Sequence, residues 1–84
     1  MKYFVYMVTC SDGTIYTGYT KDLLKRLEEH NSGSRGARYT KTRRPVKLSF
    51  VEIVQSQREA ILRELEIKKL PRRMKINLIN GFAE

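Results

Sequence analysis

Only one cysteine occurs in this 84-residue chain. Cys10 has no second thiol with which to form an internal disulfide or a zinc cluster, and it closes an apolar strand-like run. A free thiol in such a position behaves as a small hydrophobic side chain. We therefore expect Cys10 to be packed in the core and to have no catalytic role.

Long apolar runs are missing as well. The stretch from Tyr3 to Val8 is far too short to span a membrane, lacks a small-residue cleavage site and is soon followed by Asp12-Gly13. The sequence therefore predicts neither a signal peptide nor a membrane anchor, and we expect a cytoplasmic protein. A chain of this length can bury one small core, so residues 1–84 are expected to form a single domain.

Acidic residues are few compared with basic ones. The chain has 9 Asp and Glu against 17 Lys and Arg, which gives a formal net charge of +8 and a sequence pI of about 9.9. Such an excess of positive charge favours a polyanionic partner. Nucleic acid is the first candidate for that partner, and an anionic membrane surface is the second.

Two runs at the start of the chain predict a β-hairpin, because residues 2–10 and 14–20 are rich in β-branched and aromatic side chains. A three-residue loop that ends with Gly13 in the left-handed conformation would pair Tyr6 with Gly18. Tyr6 and Tyr16 would then project from the same face of the sheet. A two-residue turn would shift the pairing by one position and place the two tyrosines on opposite faces.

The first helix is predicted over about residues 22–31, with Thr20 or Asp22 as its cap. Its core stripe is formed by Leu23, Leu24 and Leu27. A third strand is predicted over residues 46–54, where a change of phase at Phe50-Val51 indicates a bulge or burial on both faces.

Two more helices complete the predicted fold. The second begins at a capping box, Ser56 to Glu59, and the third has Pro71 in its first turn. We expect Met74, Leu78 and Ile79 to point inward and Gly81 to occupy the C-cap position. The order β-β-α-β-α-α predicts an α+β domain, in which a small three-stranded antiparallel sheet is flanked by three helices.

Residues 33–45 are basic and are predicted to form a loop rather than a regular element. Basic side chains interleaved with an aromatic ring suit contacts to a nucleic-acid backbone together with base stacking. The candidate nucleic-acid-binding residues are Arg35, Arg38, Tyr39, Lys41, Arg43 and Arg44. The alternative is that these charges serve only solubility.

A candidate catalytic set stands out on the predicted elements. The tripeptides Phe4-Val5-Tyr6 and Tyr16-Thr17-Gly18 lie on neighbouring strands, and Arg26 and His30 follow on one helix face. Joined to Glu64 on a later helix, this set resembles the signature of the GIY-YIG nuclease superfamily. Phe4 and Thr17 depart from that signature, at positions that both look like packing positions.

The resemblance extends from Tyr3 to about Ile79 and implies the same α+β architecture. The segments His30 to Gly33, Ala37 to Thr40 and Arg43 to Pro45 are similar, more narrowly, to the small standalone bacterial branch often called YhbQ-like. The resemblance implies a metal-dependent endonuclease that hydrolyses DNA phosphodiesters, with branched or damaged DNA in repair or recombination as the expected substrate. It leaves RNA open as a ligand, and a protein partner could supply substrate specificity.

The resemblance assigns roles that suit the chemistry of each residue. Glu64 offers one hard oxygen ligand for Mg²⁺ or Mn²⁺, and Arg26 can grip a phosphate through its planar fork. Tyr6 and Tyr16 are taken jointly as the group that activates water, which requires nearby cations to lower a pKa of about 10. His30 would relay a proton or contact the phosphate.

Each candidate also has a plainer interpretation. The two tyrosines could be ordinary cross-strand packing, and His30 could be a histidine favoured by the dipole at a helix C-terminus. Arg26 could pair with Asp22, and Glu64 could pair with Lys68, each four residues away on one helix. A binding module of the same fold that cleaves nothing is therefore the alternative function.

Overall fold

The chain forms one three-stranded antiparallel sheet with helices on both faces, which confirms the predicted α+β class. The computed structural model describes residues 2–33 and 35–83. The elements in chain order are β1 (Tyr3–Thr9), β2 (Ile15–Thr20), α1 (Leu23–Asn31), α2 (Arg38–Lys41), β3 (Lys47–Val54), α3 (Gln57–Lys69) and α4 (Arg72–Ala83). The sheet order β2-β1-β3 places β1 in the centre.

The hairpin adopts the three-residue loop. The amide of Cys10 donates to the Thr14 carbonyl at 2.8 Å, the amide of Gly13 donates to the Cys10 carbonyl at 2.9 Å, and Gly13 has a φ of 85°. Tyr6 therefore pairs with Gly18, as predicted. The two-residue turn is excluded, and Cys10 is buried as a free thiol.

Alternation along β1 assigns its side chains to two cores. Val5 and Met7 pack with residues of α3, including Ala60 and Ile67. Tyr6 and Val8 belong to a separate cluster, in which they pack against the α1 side chains Leu23 and Leu27. The face that carries Tyr6 is therefore the face covered by α1.

The third strand contains the expected irregularity. Met7 pairs with Phe50 and Val8 pairs with Leu48, so Ser49 is an extra residue in β3. This bulge lies just before the predicted phase change at Phe50-Val51.

Two predicted caps are present. The side chain of Asp22 accepts from the amide of Lys25 at the start of α1, and Ser56 accepts from the amide of Glu59 at the start of α3. Thr20 is not the helix cap; its hydroxyl instead accepts from the amide of Asp22.

Three expectations about the helices are wrong. Leu24 is 79% exposed rather than part of the core stripe, and Met74 is 41% exposed rather than inward. Gly81 lies inside α4, which continues to Ala83, so it is not a C-cap.

No helix in the described ranges combines the length and the apolar character that crossing a membrane requires.

The basic segment contains a short helix where a loop was predicted. α2 has only four residues, and its side chains and flanking arginines hold it against α1 through contacts that a local sequence pattern does not reveal. The segment is therefore anchored at the candidate site.

Candidate active site

A buried hydrogen bond between Tyr6 and His30 lies at the centre of the site. The Tyr6 hydroxyl is 2.7 Å from His30 Nε2, and both side chains are almost fully buried. β1 directs Tyr6 toward α1, and the last turn of α1 directs His30 back toward the sheet. His30 is thus enclosed behind Tyr6, which argues against the predicted direct contact between His30 and a phosphate.

Tyr16 lies beside this pair in a more exposed position. Its ring centroid is 5.2 Å from that of His30 and 5.9 Å from that of Tyr39, on which it stacks. Tyr39 is 38% exposed, so this part of the site reaches the surface. The two tyrosine rings therefore do pack against neighbouring rings. Packing alone does not account for the hydrogen bond between Tyr6 and the buried His30.

Gly18 leaves room for the Tyr6 hydroxyl. A Cβ at this position would be 2.7 Å from Tyr6 Oη, 2.9 Å from Tyr6 Cζ and 3.2 Å from Tyr16 Cε2. The first two distances are too short for any real contact, and the Tyr6 ring is held by His30. Absence of a side chain at Gly18 is therefore a condition for the site's geometry.

Gly18→Ala is expected to displace the Tyr6 ring, break its bond to His30 and lower the free energy of unfolding by about 1–3 kcal/mol. Urea unfolding measures this loss. Gly81→Ala is the matched control, because a Cβ there meets no atom within 4 Å inside α4. The control should stabilise the protein by roughly 0.5–1 kcal/mol, and equal destabilisation of both variants would contradict the steric account.

Arg26 supplies a positive charge next to Tyr6. Its guanidinium is 3.1 Å from the Glu29 carboxylate and donates to the Arg35 carbonyl at 2.9 Å, and its charge acts to lower the pKa of the Tyr6 hydroxyl. The predicted alternative partner, Asp22, instead caps α1. Arg26 also lines an open cleft with Lys21 and Lys25, and the acidic side chains of Asp22 and Glu29 line the same cleft.

Glu64 lies on α3, the helix that packs against the other face of the sheet. Its negative charge makes a minor contribution to the raised pKa of the Tyr6 hydroxyl, after burial and the charge of Tyr16. The side chain is 17% exposed, and one oxygen is 3.3 Å from Lys68 Nζ. The alternative ion pair is therefore present, and the same carboxylate contributes negative charge at Tyr6.

A single carboxylate agrees with a hard-cation site that depends on substrate oxygens. Within residues 2–33 and 35–83, no three His, Cys, Asp or Glu side chains form a cluster that could hold a metal. Mg²⁺ keeps several waters and is commonly bound by one or two carboxylates together with substrate phosphates. The partly accessible oxygens of Glu64 fit this donor set.

The pKa of Tyr6 is raised, whereas nearby cations were expected to lower it. Burial raises the pKa of Tyr6 to about 12; Arg26 opposes this effect, and the charges of Tyr16 and Glu64 add to it. The cation near Tyr6 therefore does not lower the pKa below its usual value. Tyr6 is held protonated, as a hydrogen-bond donor.

His30 is held neutral. Burial, followed by the positive charges of Arg26 and Arg44, lowers the pKa of His30 to about 4, although Glu29 opposes the shift. A cationic histidine favoured by the helix dipole is therefore not what the structure contains. Transfer of the proton from Tyr6 to His30 is therefore unfavourable, because burial disfavours the charged form of both groups.

The free energy of unfolding is expected to fall as the pH drops below about 6.5. In this range His30 binds a proton in the unfolded chain but remains neutral in the folded chain. The loss is complete once the pH passes the folded pKa of about 4. Between pH 7.5 and 5.5 it should amount to about 1.4 kcal/mol. Urea unfolding at both values measures it, and His30→Gln, which removes the only histidine, should lack this dependence.

The basic segment divides into two groups. Arg44 donates to the carbonyls of His30, Glu29 and Gly33, and Arg43 binds the Asp12 carboxylate at 3.0 Å. These two arginines hold the segment in place. Three other basic side chains of the segment are exposed: Arg35, Arg38 and Lys41.

Arg43 also approaches Tyr39, with its guanidinium carbon 4.0 Å from the ring centroid. Tyr39 is therefore oriented by contacts with both Arg43 and Tyr16. An oriented, partly exposed ring is suitable for stacking on a base.

Sequence reasoning missed three residues near the site. Thr40 is fully buried against His30, whereas Arg72 and Lys75 line a shallow cleft together with Tyr39. The run of basic residues around Pro71 was a signal for the cleft residues. Thr40 stands in one of the segments that carry the narrower resemblance, but nothing in the local pattern indicated its contact with His30.

The comparisons with known proteins agree with this fold. The model of the GIY-YIG catalytic domain matches residues 2–77. The chain therefore belongs to the GIY-YIG family, and within it to the small bacterial proteins of the UPF0213 family.

Two UPF0213 proteins show the extent of the similarity. One from Syntrophus aciditrophicus (strain SB) is 54% identical over 83 residues, which cover 99% of this chain and 95% of that protein. One from Staphylococcus aureus (strain Mu3 / ATCC 700698) is 53% identical over 78 residues, which cover 93% of this chain and 94% of that protein.

Two solution NMR structures share the fold. A UPF0213 protein from Bacillus halodurans has a TM-score of 0.61 at 42% identity, with 95% of this chain and 84% of that chain covered. A protein from E. faecalis has a TM-score of 0.64 at 33% identity, with 99% and 88% covered.

Proposed function

We propose that the protein is a metal-dependent endonuclease that hydrolyses phosphodiester bonds of DNA, with branched or damaged DNA as its substrate. The observation that carries the proposal is the grouping of Tyr6, Tyr16 and Arg26 around His30, with the Glu64 carboxylate within electrostatic reach. A nuclease-like catalytic domain in the family adds support. The cytoplasmic location remains a prediction.

Tyr16 is the better candidate for the base that activates water. Tyr6 is buried, has a pKa raised to about 12, and uses its hydroxyl to bind His30. Tyr16 is more exposed and stands at the side of the site that Tyr39 opens to the surface. Tyr6 would then help to position Arg26 and His30, rather than accept the proton of the attacking water.

The other residues would bind and orient the phosphate. Arg26 remains charged and can form two parallel hydrogen bonds to phosphate oxygens if it exchanges one of its present partners. Glu64 would hold Mg²⁺ or Mn²⁺, which when bound would neutralise charge on the phosphate and favour ionisation of water. Lys68 competes for the same carboxylate and would have to release it.

The exposed basic side chains would bind the nucleic-acid backbone. Arg35, Arg38 and Lys41 are available for phosphates, and the oriented ring of Tyr39 is available for stacking. Arg43 and Arg44 would act indirectly, because their guanidinium groups hold the protein's own backbone and Asp12. A protein partner remains a proposal for how the substrate is selected.

A non-catalytic nucleic-acid-binding module is the second candidate. The ion pair between Glu64 and Lys68 favours it, because a carboxylate neutralised by lysine is a poorer cation ligand. In this case the basic segment would bind DNA and the tyrosines would serve only packing.

Incubation of the purified chain with supercoiled plasmid, branched DNA, linear duplex and single-stranded RNA tests both candidates. Each substrate is incubated with Mg²⁺, with Mn²⁺ and with EDTA, and binding is measured in parallel. A nuclease would nick DNA in either metal, would prefer the branched substrate and would stop in EDTA. Tight binding to every substrate without cleavage in either metal would instead support the binding module.

A further inference from the structure

Thr40 is a fully buried hydroxyl residue to which the nuclease signature gives no role. Its Oγ1 is 3.0 Å from His30 Nδ1 and 2.9 Å from the Ala37 carbonyl oxygen. A carbonyl oxygen can only accept, so a hydroxyl that donates to Ala37 has no proton left for His30. Toward His30 the Thr40 oxygen then accepts, which requires a proton on Nδ1.

The contacts of Nε2, the His30 ring nitrogen that faces Tyr6, lead to the same tautomer of His30. The guanidinium of Arg26, whose charge acts on the Tyr6 hydroxyl, has only donors and so cannot accept the phenol proton. The proton of Tyr6 then needs an acceptor, and His30 Nε2 lies 2.7 Å away. Nε2 can accept only if it carries no proton.

We propose that Thr40 is a positioning residue that holds His30 in the Nδ1–H tautomer, so that His30 Nε2 accepts the Tyr6 proton and fixes the Tyr6 hydroxyl beside Arg26. The hydrogen bonds then run in one direction, from Tyr6 to His30, from His30 to Thr40, and from Thr40 to the Ala37 carbonyl. The neutral state of the buried ring agrees with this order.

This arrangement connects the basic segment to the interior of the site. Thr40 is flanked by Tyr39, which stacks on Tyr16, and by Lys41, which is exposed. A contact between nucleic acid and α2 would therefore act on the same four-residue helix that sets the His30 tautomer. The consequence for cleavage rests on the proposed function, whereas the tautomer does not.

The tautomer can be read directly by NMR. His30 is the only histidine, so a long-range ¹H–¹⁵N correlation spectrum of the labelled protein contains one imidazole pattern. At pH 7.5 we expect a protonated Nδ1 and an unprotonated Nε2 in the wild-type protein. A wild-type spectrum of the Nε2–H tautomer, or of the charged ring, would overturn the proposal without any variant.

Two variants test the role of Thr40 itself. Thr40→Val keeps the shape but removes the hydroxyl, so a large Nε2–H population should replace the single Nδ1–H pattern. Thr40→Ser keeps the hydroxyl and should retain the wild-type pattern. A wild-type pattern in Thr40→Val would overturn the positioning role, and Thr40→Ala provides the same comparison if the valine variant does not fold.

Cleavage provides a separate readout. If the proposed function holds, Thr40→Val should lower kcat by about 10-fold or more with little change in KM, as removal of a partner that orients a functional histidine does. Thr40→Ser should restore most of the rate. An equal rate in Thr40→Val and wild type would contradict the link to cleavage, whereas no cleavage by the wild-type protein would reject the proposed function and leave the NMR result to decide the tautomer.

Discussion

Glu64→Gln is expected to abolish metal-dependent nicking while leaving the fold and the affinity for DNA nearly unchanged. The amide keeps the volume of the side chain but loses the charge that would hold the cation. Loss of the ion pair with Lys68 should cost only about 0.2–0.5 kcal/mol of stability. Nicking rate, thermal melting and DNA binding measured on the same preparation separate these effects.

Two substitutions on α3 serve as controls for this result. Glu66→Gln removes a carboxylate that is 68% exposed and 3.8 Å from Arg63, so it should leave nicking unchanged. Lys68→Met removes the ion pair but keeps the Glu64 carboxylate, and should maintain or increase the rate. If Lys68→Met and Glu64→Gln impair nicking equally, the ion pair rather than a bound cation is what matters.

Tyr16→Phe is expected to reduce the nicking rate by roughly 100-fold or more, because general-base catalysis contributes typically that much. The ring and its contacts with His30 and Tyr39 remain, so stability and DNA affinity should change little. Single-turnover nicking with excess protein isolates the chemical step from binding.

Tyr6→Phe is the matched comparison, and it should lower the stability more and the nicking rate less than Tyr16→Phe does. It leaves the buried Nε2 of His30 without its partner, which should cost about 1–3 kcal/mol of stability. Its rate, measured at a temperature where it remains folded, should fall less than that of Tyr16→Phe. The reverse order of rates would assign the base to Tyr6 and contradict the role derived from its burial.

Local chemistry limited the hairpin to two registers, and the requirement that both tyrosines share one face favoured the three-residue loop that the structure contains. The loop ends with Gly13, which has the left-handed φ that such a loop requires, and Gly18 opposite Tyr6 follows from that register. Asp22 and Ser56 are caps for equally local reasons, since each accepts from a backbone amide three residues later. Strand pairing then brings the predicted tyrosines to one face.

Features that depend on distant contacts were not predictable. Leu24 has the apolar character of a core residue, yet the direction in which α1 packs leaves it exposed. The helix α2 has only four residues and is held by Arg44, which binds carbonyls of residues that lie 11 to 15 positions away. No local pattern encodes such contacts.

The electrostatic state of the site also required the fold. The sequence identified Tyr6 and His30 as candidates, but the pKa of each depends on burial and on charges from other elements. Burial raises the pKa of Tyr6 where a lowered one was expected, and it encloses His30 behind Tyr6. Thr40 enters the site only because α2 folds onto α1.

Parallel measurement of nicking by wild-type protein and by Glu64→Gln, purified identically and titrated with Mg²⁺ on one supercoiled plasmid, tests the nuclease proposal most directly. The account predicts a rate that rises and saturates with Mg²⁺ for the wild-type protein and no metal-dependent nicking for the variant, although both bind the plasmid. Equal nicking by the two proteins, or plasmid binding without nicking by either, would contradict it.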